Sequence, residues 1–300
     1  MKRWHMVFDV NKCIGCYTCM LSCKDEHVGN EWLPYTDRQK KRDQKWIVTG
    51  HRERGVVPRI DIAYRPALCN HCDDPACAKN APGCIKKRSD GIVLIDPGKA
   101  KGNEALVSAC PYGSISWNDE VGAAQKCTFC AHLIDDGWKE PRCVQSCPLR
   151  ALMAVHMEDD EFERLVSDKG LVSLVPVEAG PRVWYKNLHR FTKNMIAGEI
   201  AWMEDKDTEV CADGVEVFLR KDGEVVARTF TSTFGEFCFD PVEPCSGEYE
   251  VSAELPGRGN VSIKVDMGEE CVDTGLLRPG MEPQPSHFDW KPLADQAAAE

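Results

Sequence analysis

Cysteine is the residue type in this sequence that points most directly to chemistry. The chain has 17 cysteines among 300 residues, and most of them lie between Cys13 and Cys147 in short, regularly spaced groups. Disulfides would fit a small secreted domain, and pairs of C-x2-C would fit tetrahedral zinc. Iron–sulfur clusters need four thiolates each, with three from one compact group and the fourth from a distant position. The spacing discriminates between these possibilities.

The first group has the spacing C-x2-C-x2-C-x3-C, which favours iron–sulfur clusters. Its members are Cys13, Cys16, Cys19 and Cys23. The first three wrap a tight loop around one corner of a cubane, and the fourth, on the helix that follows, ligates a different cluster. A zinc site has no use for the third closely spaced thiol, so zinc and free structural thiols are the minor alternatives.

A second group complements the first. Its members are Cys127, Cys130, Cys143 and Cys147, and the last is followed by proline, as is typical of the fourth ferredoxin ligand. Each group therefore gives three ligands to one cluster and lends its fourth to the other. The predicted ligand sets are Cys13, Cys16, Cys19 and Cys147 for one cluster, and Cys127, Cys130, Cys143 and Cys23 for the other.

The third group predicts one further cluster and not two. Its closely spaced members are Cys69, Cys72 and Cys77. Ala81 occupies the expected fourth position, and Cys110 stands alone further along the chain. No cysteine stands at position 81, and no closely spaced cysteines precede Cys110. Both observations predict a single cluster, because the three closely spaced thiols plus Cys110 complete it and no thiols are left for a second one. The sequence thus predicts three 4Fe–4S clusters. Cys84 is left over, and a buried free thiol or a substitute ligand are its alternatives.

Other residue types give weaker signals, and none has the setting of a substrate base or nucleophile. We therefore expect no catalytic residue in this chain. His71 and His132 lie in cysteine loops, where hydrogen bonding around a cluster or plain packing is expected. Lys126 precedes Cys127 and could tune a cluster through its charge, or be an ordinary exposed lysine.

Short elements must hold these loops, and they predict an α+β fold. Residues 7–10 form a strand before the first loop, and residues 21–25 form a short helix after it. Residues 90–97 form a strand entered by an Asp-Gly turn, with residues 112–117 as its hairpin-like partner. Residues 158–169 form a helix whose acidic start suits the positive end of the helix dipole.

Composition and patterning divide the chain into four parts. Residues 1–175 are predicted to be a double ferredoxin-like iron–sulfur domain, in which the charged insertion 29–66 is either solvated surface or a docking arm. Residues 176–196 are predicted to be a linker that docks on a partner. Alternating strands predict an all-β, Ig-like sandwich over residues 197–278, followed by an extended tail at residues 279–300.

The cysteines of the C-terminal part match no cluster spacing. They are Cys211, Cys238, Cys245 and Cys271. Free thiols are their expected state, and one disulfide or a zinc site is the alternative.

Charge and hydropathy exclude several classes of partner. The chain has 37 Lys+Arg and 48 Asp+Glu, a formal net charge of -11, which argues against nucleic acid because phosphate backbones need clustered cations. No stretch approaches the roughly eighteen apolar residues of a membrane span. The N-terminus has no signal core or twin-arginine pattern. We therefore expect a cytoplasmic protein, with export alongside a signal-bearing partner as the alternative.

The cysteine groups resemble those of the iron–sulfur subunits of the dimethyl sulfoxide reductase family of molybdopterin enzymes. Those subunits normally show four cysteine groups and four clusters, so a chain with three predicted clusters resembles only some members of the family. Within this family, further stretches resemble the small subunits of pyrogallol–phloroglucinol transhydroxylases; they are residues 30–32, 52–55, 90–97, 124–133 and 181–188. The resemblance covers about residues 5–278. Residues 233–237 and 247–249 also resemble the carboxypeptidase-regulatory-like sandwich of that small subunit.

This resemblance implies a division of labour between subunits. A large subunit would hold a bis-molybdopterin guanine dinucleotide with molybdenum or tungsten and the substrate site, and this chain would hold the clusters and transfer electrons. The implied reaction moves a hydroxyl group between polyphenols. Two alternatives stay open: the electron-transfer subunit of a catechol dehydroxylase or another reductase of the family, and a structural scaffold whose clusters do not conduct.

Overall fold

The computed structural model describes residues 1–285, which divide into two compact units. Unit 1 consists of Met1–His51 and Ala63–Leu188, and unit 2 consists of Arg52–Ile62 and the chain from His189 onward. The elements that lie wholly or partly in unit 1 are β1 (Arg3–Asp9), α1 (Thr18–His27), β2 (Ile47–Val56), β3 (Arg59–Leu68), α2 (Ala76–Asn80), β4 (Ile85–Lys87), β5 (Val93–Ile95), α3 (Pro97–Ala100), β6 (Ser116–Asn118), β7 (Ala123–Gln125), α4 (Ala131–Asp135), α5 (Arg142–Gln145), β8 (Leu152–Met157), α6 (Asp159–Lys169) and β9 (Val183–Lys186). Strands β2 and β3 form a hairpin whose tip belongs to unit 2.

A three-stranded sheet with the order β8-β1-β9 forms the base of unit 1. Strand β1 is antiparallel to β8 and parallel to β9, and it is buried at almost every position. Phe162 of helix α6 packs in one hydrophobic cluster with Val7 of this sheet and with Leu171, which follows the helix. The sequence prediction of this helix is confirmed: Glu158 and Glu161 form a capping box at its start, and Gly170 ends it in the left-handed conformation.

The predicted pairing of residues 90–97 with residues 112–117 is wrong. Strand β5 pairs instead with β4, with Ile85 opposite Ile95, and β6 pairs with β7, with Ser116 opposite Gln125. Each strand finds a partner that is closer in sequence, which lowers the entropy cost of closing the loop.

Unit 2 is built mainly of strands, as the alternating pattern predicted. Its further elements are α7 (His189–Thr192), β10 (Asn194–Met203), β11 (Glu209–Cys211), β12 (Glu216–Lys221), β13 (Glu224–Phe230), β14 (Glu236–Val242), β15 (Gly247–Leu255), β16 (Gly259–Met267) and β17 (Val272–Leu277). One sheet places β11, β14 and β17 around β10, and the other has the order β13-β12-β15-β16. Both contribute to one hydrophobic core, for example through Ile196 and Ile200 from the first sheet and Val217 and Val251 from the second.

The tip of the β2–β3 hairpin is held in unit 2 by buried ion pairs. Arg54 has a side chain only 2 % exposed, and its guanidinium donates to Asp61 and to both carboxylate oxygens of Asp240. Arg59 pairs with Glu199 and Asp273. This part of the charged insertion is therefore structural, because its arginines are satisfied by carboxylates of the same unit.

Residues 176–196, for which a linker is predicted, are divided between the units. Strand β9 pairs with β1, and the Tyr185 hydroxyl donates to the Pro66 carbonyl at 2.9 Å. Strand β9 has only four residues, too few to show a period in the sequence. Docking of this segment on a partner stays a prediction.

Two further predictions concern the end of the chain and membranes. The expected tail at 279–300 lies, from residue 286, outside the described residues. In the described part of the chain, no helix combines the length and the apolar character that a bilayer crossing requires.

Candidate iron–sulfur centres

The structure brings the predicted ligands together in groups. Four of them, Cys13, Cys16, Cys19 and Cys147, line one cavity, called here the first site. Another four, Cys69, Cys72, Cys77 and Cys110, line a second cavity, called the third site. Within residues 1–285, no three His, Cys, Asp or Glu side chains converge on a point where one metal ion would fit. Thiols that surround a cavity fit a multi-iron cluster better than a single zinc ion.

The remaining four ligands come together where two helices meet, and this place is called the second site. Helix α1 carries Cys23 and packs against α5, which carries Cys143. Both thiols are buried, and burial together with the neighbouring Cys127 and Cys130 raises the pKa of each far above the usual range. Cys23, the fourth cysteine of the first group, therefore lies beside the first three cysteines of the second group.

Two serines, one directly before Cys23 and one directly before Cys147, make equivalent hydrogen bonds. The hydroxyls of Ser22 and Ser146 lie 2.7 Å apart, so one donates to the other. Each also lies 3.2 Å from a carbonyl oxygen three residues earlier, that of Cys19 for Ser22 and that of Cys143 for Ser146. The two cysteine groups thus have equivalent local structure around their lent ligands, as expected of a repeated motif.

The first C-x2-C loop of each cysteine group has an unusual backbone conformation. The residue before the second cysteine has a positive φ in each loop: 68° at Gly15, 45° at His71 and 58° at Phe129. The backbone N–H of His71 donates to Cys69 Sγ at 3.5 Å, and that of Phe129 donates to Cys127 Sγ at 3.4 Å. Left-handed backbone is costly for residues other than glycine, and here it directs amide donors at ligand sulfur. Only the glycine was a signal of this in the sequence.

The thiols are set in surroundings that call for bound cations. Burial is the largest cause that raises the pKa of Cys19, Cys72 and Cys127 to about 11 and that of Cys130 to about 12. Metal binding requires the thiolate form, so a bound cluster would have to provide positive charge that compensates for the loss of these protons. The donor set therefore fits cubane clusters bound by thiolates.

Lys126 indicates that a bound cluster and its thiolates together would carry a net negative charge at the third site. The residue is buried, it lines the third-site cavity, and its ammonium donates to the carbonyl oxygens of Val93 and Cys127. No carboxylate among the described residues lies within ion-pair distance of it. An uncompensated buried charge is strongly destabilising, and a cluster bound by four thiolates would supply the missing negative charge.

Two histidines lie near the second site. His132 pairs through Nε2 with Glu26 Oε1 at 3.0 Å and stacks on Trp32 at 4.3 Å, which makes it a packing residue of the loop. His27, which the sequence analysis missed, is buried with Nε2 at 3.9 Å from Cys130 Sγ. Its signal was present, because it follows Cys23 by four residues on α1 and so shares its face.

The position of the lost fourth ligand is filled by apolar packing. Ala81 and Cys84 pack on a hydrophobic core that includes Ile85, Val93 and Ile95. The Cys84 thiol lies 3.9 Å from the carbonyl oxygen of Lys99 and does not line the third-site cavity. In unit 2, the structure has no disulfide between the four C-terminal cysteines, which are Cys211, Cys238, Cys245 and Cys271; their free-thiol state stays a prediction.

Comparison with known proteins agrees with this geometry. Residues 60–157 match the 4Fe-4S dicluster domain family. The pyrogallol hydroxytransferase small subunit of Pelobacter acidigallici is 41% identical over 283 residues, which cover 93% of this chain and 100% of that protein. One polypeptide of the anaerobic dimethyl sulfoxide reductase of Escherichia coli K12 is 38% identical over 152 residues, 50% of this chain and 72% of that relative. A sulfite dehydrogenase subunit of Allochromatium vinosum is 31% identical over 189 residues, 59% of this chain and 79% of that relative.

Proposed function

Because this protein belongs to the family of iron–sulfur subunits of dimethyl sulfoxide reductase-type molybdopterin enzymes, we propose that it is the electron-transfer subunit of a molybdenum or tungsten enzyme acting on polyphenols. The likeness to the pyrogallol hydroxytransferase small subunit along nearly the whole chain favours the transhydroxylase reaction. A large partner subunit would hold the bis-molybdopterin guanine dinucleotide and the substrate. This chain would contribute no catalytic residue.

The single observation that carries the proposal is the gathering of twelve thiols into three groups. We propose that each group binds one 4Fe–4S cluster, which supplies one-electron transfer with little rearrangement when bound. The ligands would be Cys13, Cys16, Cys19 and Cys147 at the first site, Cys23, Cys127, Cys130 and Cys143 at the second, and Cys69, Cys72, Cys77 and Cys110 at the third. The protein's own part is to bind sulfur, direct amide donors at it and exclude water.

Exposed apolar side chains at the first site support a docked partner. Ile14, Leu21 and Leu149 are 64%, 59% and 46% exposed, and Cys16 itself is exposed between the first two in sequence. Exposed apolar surface beside a functional site commonly marks an interface. We propose that the large subunit covers this rim, so that electrons pass there without crossing bulk water. A cytoplasmic complex is the location we propose.

We also propose a finer description of the fold. The serine-linked repeat of the cysteine groups supports a double ferredoxin-like module within residues 1–175. The common core of the two sheets supports a β-sandwich within residues 197–278.

Metal analysis and spectroscopy test the ligand assignment. The anaerobically isolated native complex should contain about twelve irons and as many acid-labile sulfides for each copy of this protein, apart from any in its partner. Cys69→Ala should remove one cluster signal from the electron paramagnetic resonance (EPR) spectrum and leave two. Cys84→Ala, the matched control in the apolar core, should leave all three. Three intact signals in Cys69→Ala would show that the ligand grouping is wrong.

A reductase of the same family is the second candidate, favoured by the identity to the dimethyl sulfoxide reductase polypeptide. A reductase consumes two electrons per turnover, whereas hydroxyl transfer between polyphenols has no net redox change. Substrate conversion by the purified complex without external reductant would exclude the reductase. Activity that persists after cluster loss would favour a scaffold role for the clusters.

A further inference from the structure

The third site contains a buried imidazole with an unused proton. His71 lies between Cys69 and Cys72 and is 2% exposed. The backbone N–H of Val93 donates to His71 Nδ1 at 3.0 Å. Only a nitrogen with a free lone pair accepts a hydrogen bond, so this contact makes the ring neutral and places its single proton on Nε2.

The Nε2–H group has no acceptor in the described part of the chain, although it is buried. His71 is one of the residues that line the third-site cavity, and Phe129 contacts its ring in a perpendicular arrangement at 5.5 Å between ring centres. Buried donors in native proteins almost always have a partner, and one without a partner indicates an absent ion, water or ligand. The cavity beside the ring is where four ligand thiols gather.

We propose that His71 donates a hydrogen bond from Nε2 to a sulfur of the cluster at the third site and thereby raises the reduction potential of that cluster. The proposal rests on the proposed function, because it requires a cluster at this site. A hydrogen bond to sulfur stabilises the reduced cluster more than the oxidised one, since reduction adds one negative charge. One electron enters, no covalent bond changes, and the proton stays on Nε2.

Strand β5 holds this arrangement in place. Val93 donates its N–H to His71 and accepts from Lys126 at its carbonyl oxygen, so one peptide position fixes both a neutral donor and a buried cation at the cavity. Both effects act in the same direction on the potential. The proposed role of His71 is therefore to adjust the reduction potential of the cluster, and the residue takes no part in substrate chemistry.

An EPR-monitored redox titration of the whole complex tests the proposal. In His71→Asn the amide oxygen can still accept from Val93, and asparagine tolerates left-handed backbone well, but the donor at the Nε2 position is lost. The equilibrium constant for reduction of the third cluster should fall at least tenfold, which is 59 mV for a one-electron couple. The other two clusters should keep their potentials. His132→Asn, the same change at a histidine whose Nε2 already pairs with Glu26, should not affect the third cluster.

An unchanged third-cluster potential in His71→Asn would overturn the proposal and leave His71 as an acceptor for Val93 alone. If that variant loses its cluster, the native complex decides: with histidine ¹⁵N-labelled only in the imidazole ring, which leaves the amide nitrogen of His71 unlabelled, the reduced third cluster should show hyperfine coupling to a ring nitrogen. Absence of that coupling would also overturn the proposal. Failure of the proposed function is distinguishable, because the native complex would then lack the third cluster altogether.

Discussion

Replacing Arg182 with methionine should destabilise unit 1 strongly. The guanidinium side chain is 1% exposed and grips Asp73 with two parallel hydrogen bonds, 2.8 Å from Nε to Oδ1 and 2.7 Å from Nη2 to Oδ2. It also lies 3.4 Å from Asp159 Oδ1 and donates from Nη1 to His5 Nε2 at 3.1 Å. Asp73 directly follows Cys72, so this pair connects the third-site loop to the segment after α6.

The size of the effect follows from burial. Removing one partner of a buried ion pair costs about 3–5 kcal/mol, because the other charge is left uncompensated. Only Arg182 is fully buried here: Asp73 is 39% exposed and keeps Lys87 and, more distantly, Arg3 as partners, so the lower end, about 3 kcal/mol, is expected. In a unit of this size each kcal/mol lowers the melting temperature by about 2–4 °C, which gives a fall of about 6–12 °C.

Thermal unfolding of the anaerobic complex, followed by circular dichroism and by visible cluster absorbance, measures this. Arg164→Met is the matched control, because Arg164 pairs with Asp160 on the exposed face of α6 and should shift the melting temperature by less than about 2 °C. A melting temperature of Arg182→Met within about 2 °C of the native value would refute the reasoning.

Two further predictions concern pH and backbone strain. Burial, followed by the charge of Arg182, lowers the pKa of His5 to about 4, so between pH 6.5 and 4 the unfolded state binds the extra proton. The free energy of unfolding should therefore fall by about 1 kcal/mol from pH 7.5 to 5.5, measured by urea unfolding, and His5→Gln should remove that part; identical pH dependence in both proteins would contradict it. Gly15→Ala should lower the free energy of unfolding by about 2–4 kcal/mol, because φ is +68° and the new Cβ would meet Tyr64 Cε1 at 2.5 Å. The variant should also contain less iron, because the distorted loop would no longer bind the cluster at the first site. Gly29→Ala, at φ +76° with nothing within 4 Å, isolates the backbone cost; equal melting temperatures for the two alanine variants would show that the first loop yields without strain.

The cysteine groups were predictable because the spacing of a cluster loop is local. The positions of Cys147 beside the first group and of Cys23 beside the second also follow from spacing, since each lies one helical turn beyond its loop. The pairing of the short strands in unit 1 was not predictable. Strands β4 to β7 have three residues each, and segments this short do not show which strand pairs with which. Their partners are decided by loop length and by the shared apolar core, neither of which is a property of one short segment.

The finer parts of the site depend on contacts that no sequence pattern contains. Positive φ at His71 and Phe129 gave no signal, because neither is glycine. The free Nε2 of His71 depends on which group faces Nδ1, and that is an amide more than twenty residues away. The burial of Lys126 was equally hidden, because a lysine beside a cysteine is ordinarily exposed. Tertiary contacts determine all three.

The discontinuity of unit 2 bears on how such subunits can be inherited and recombined. Arg54 comes from the hairpin tip, whereas its partner Asp240 comes from the C-terminal half of the chain. A gene truncated after Leu188 would encode an arginine without its carboxylate, and a transplanted C-terminal half would carry the carboxylate without its arginine. A chimaera that takes unit 2 from this protein must therefore include residues 52–62 as well as the chain from His189 onward.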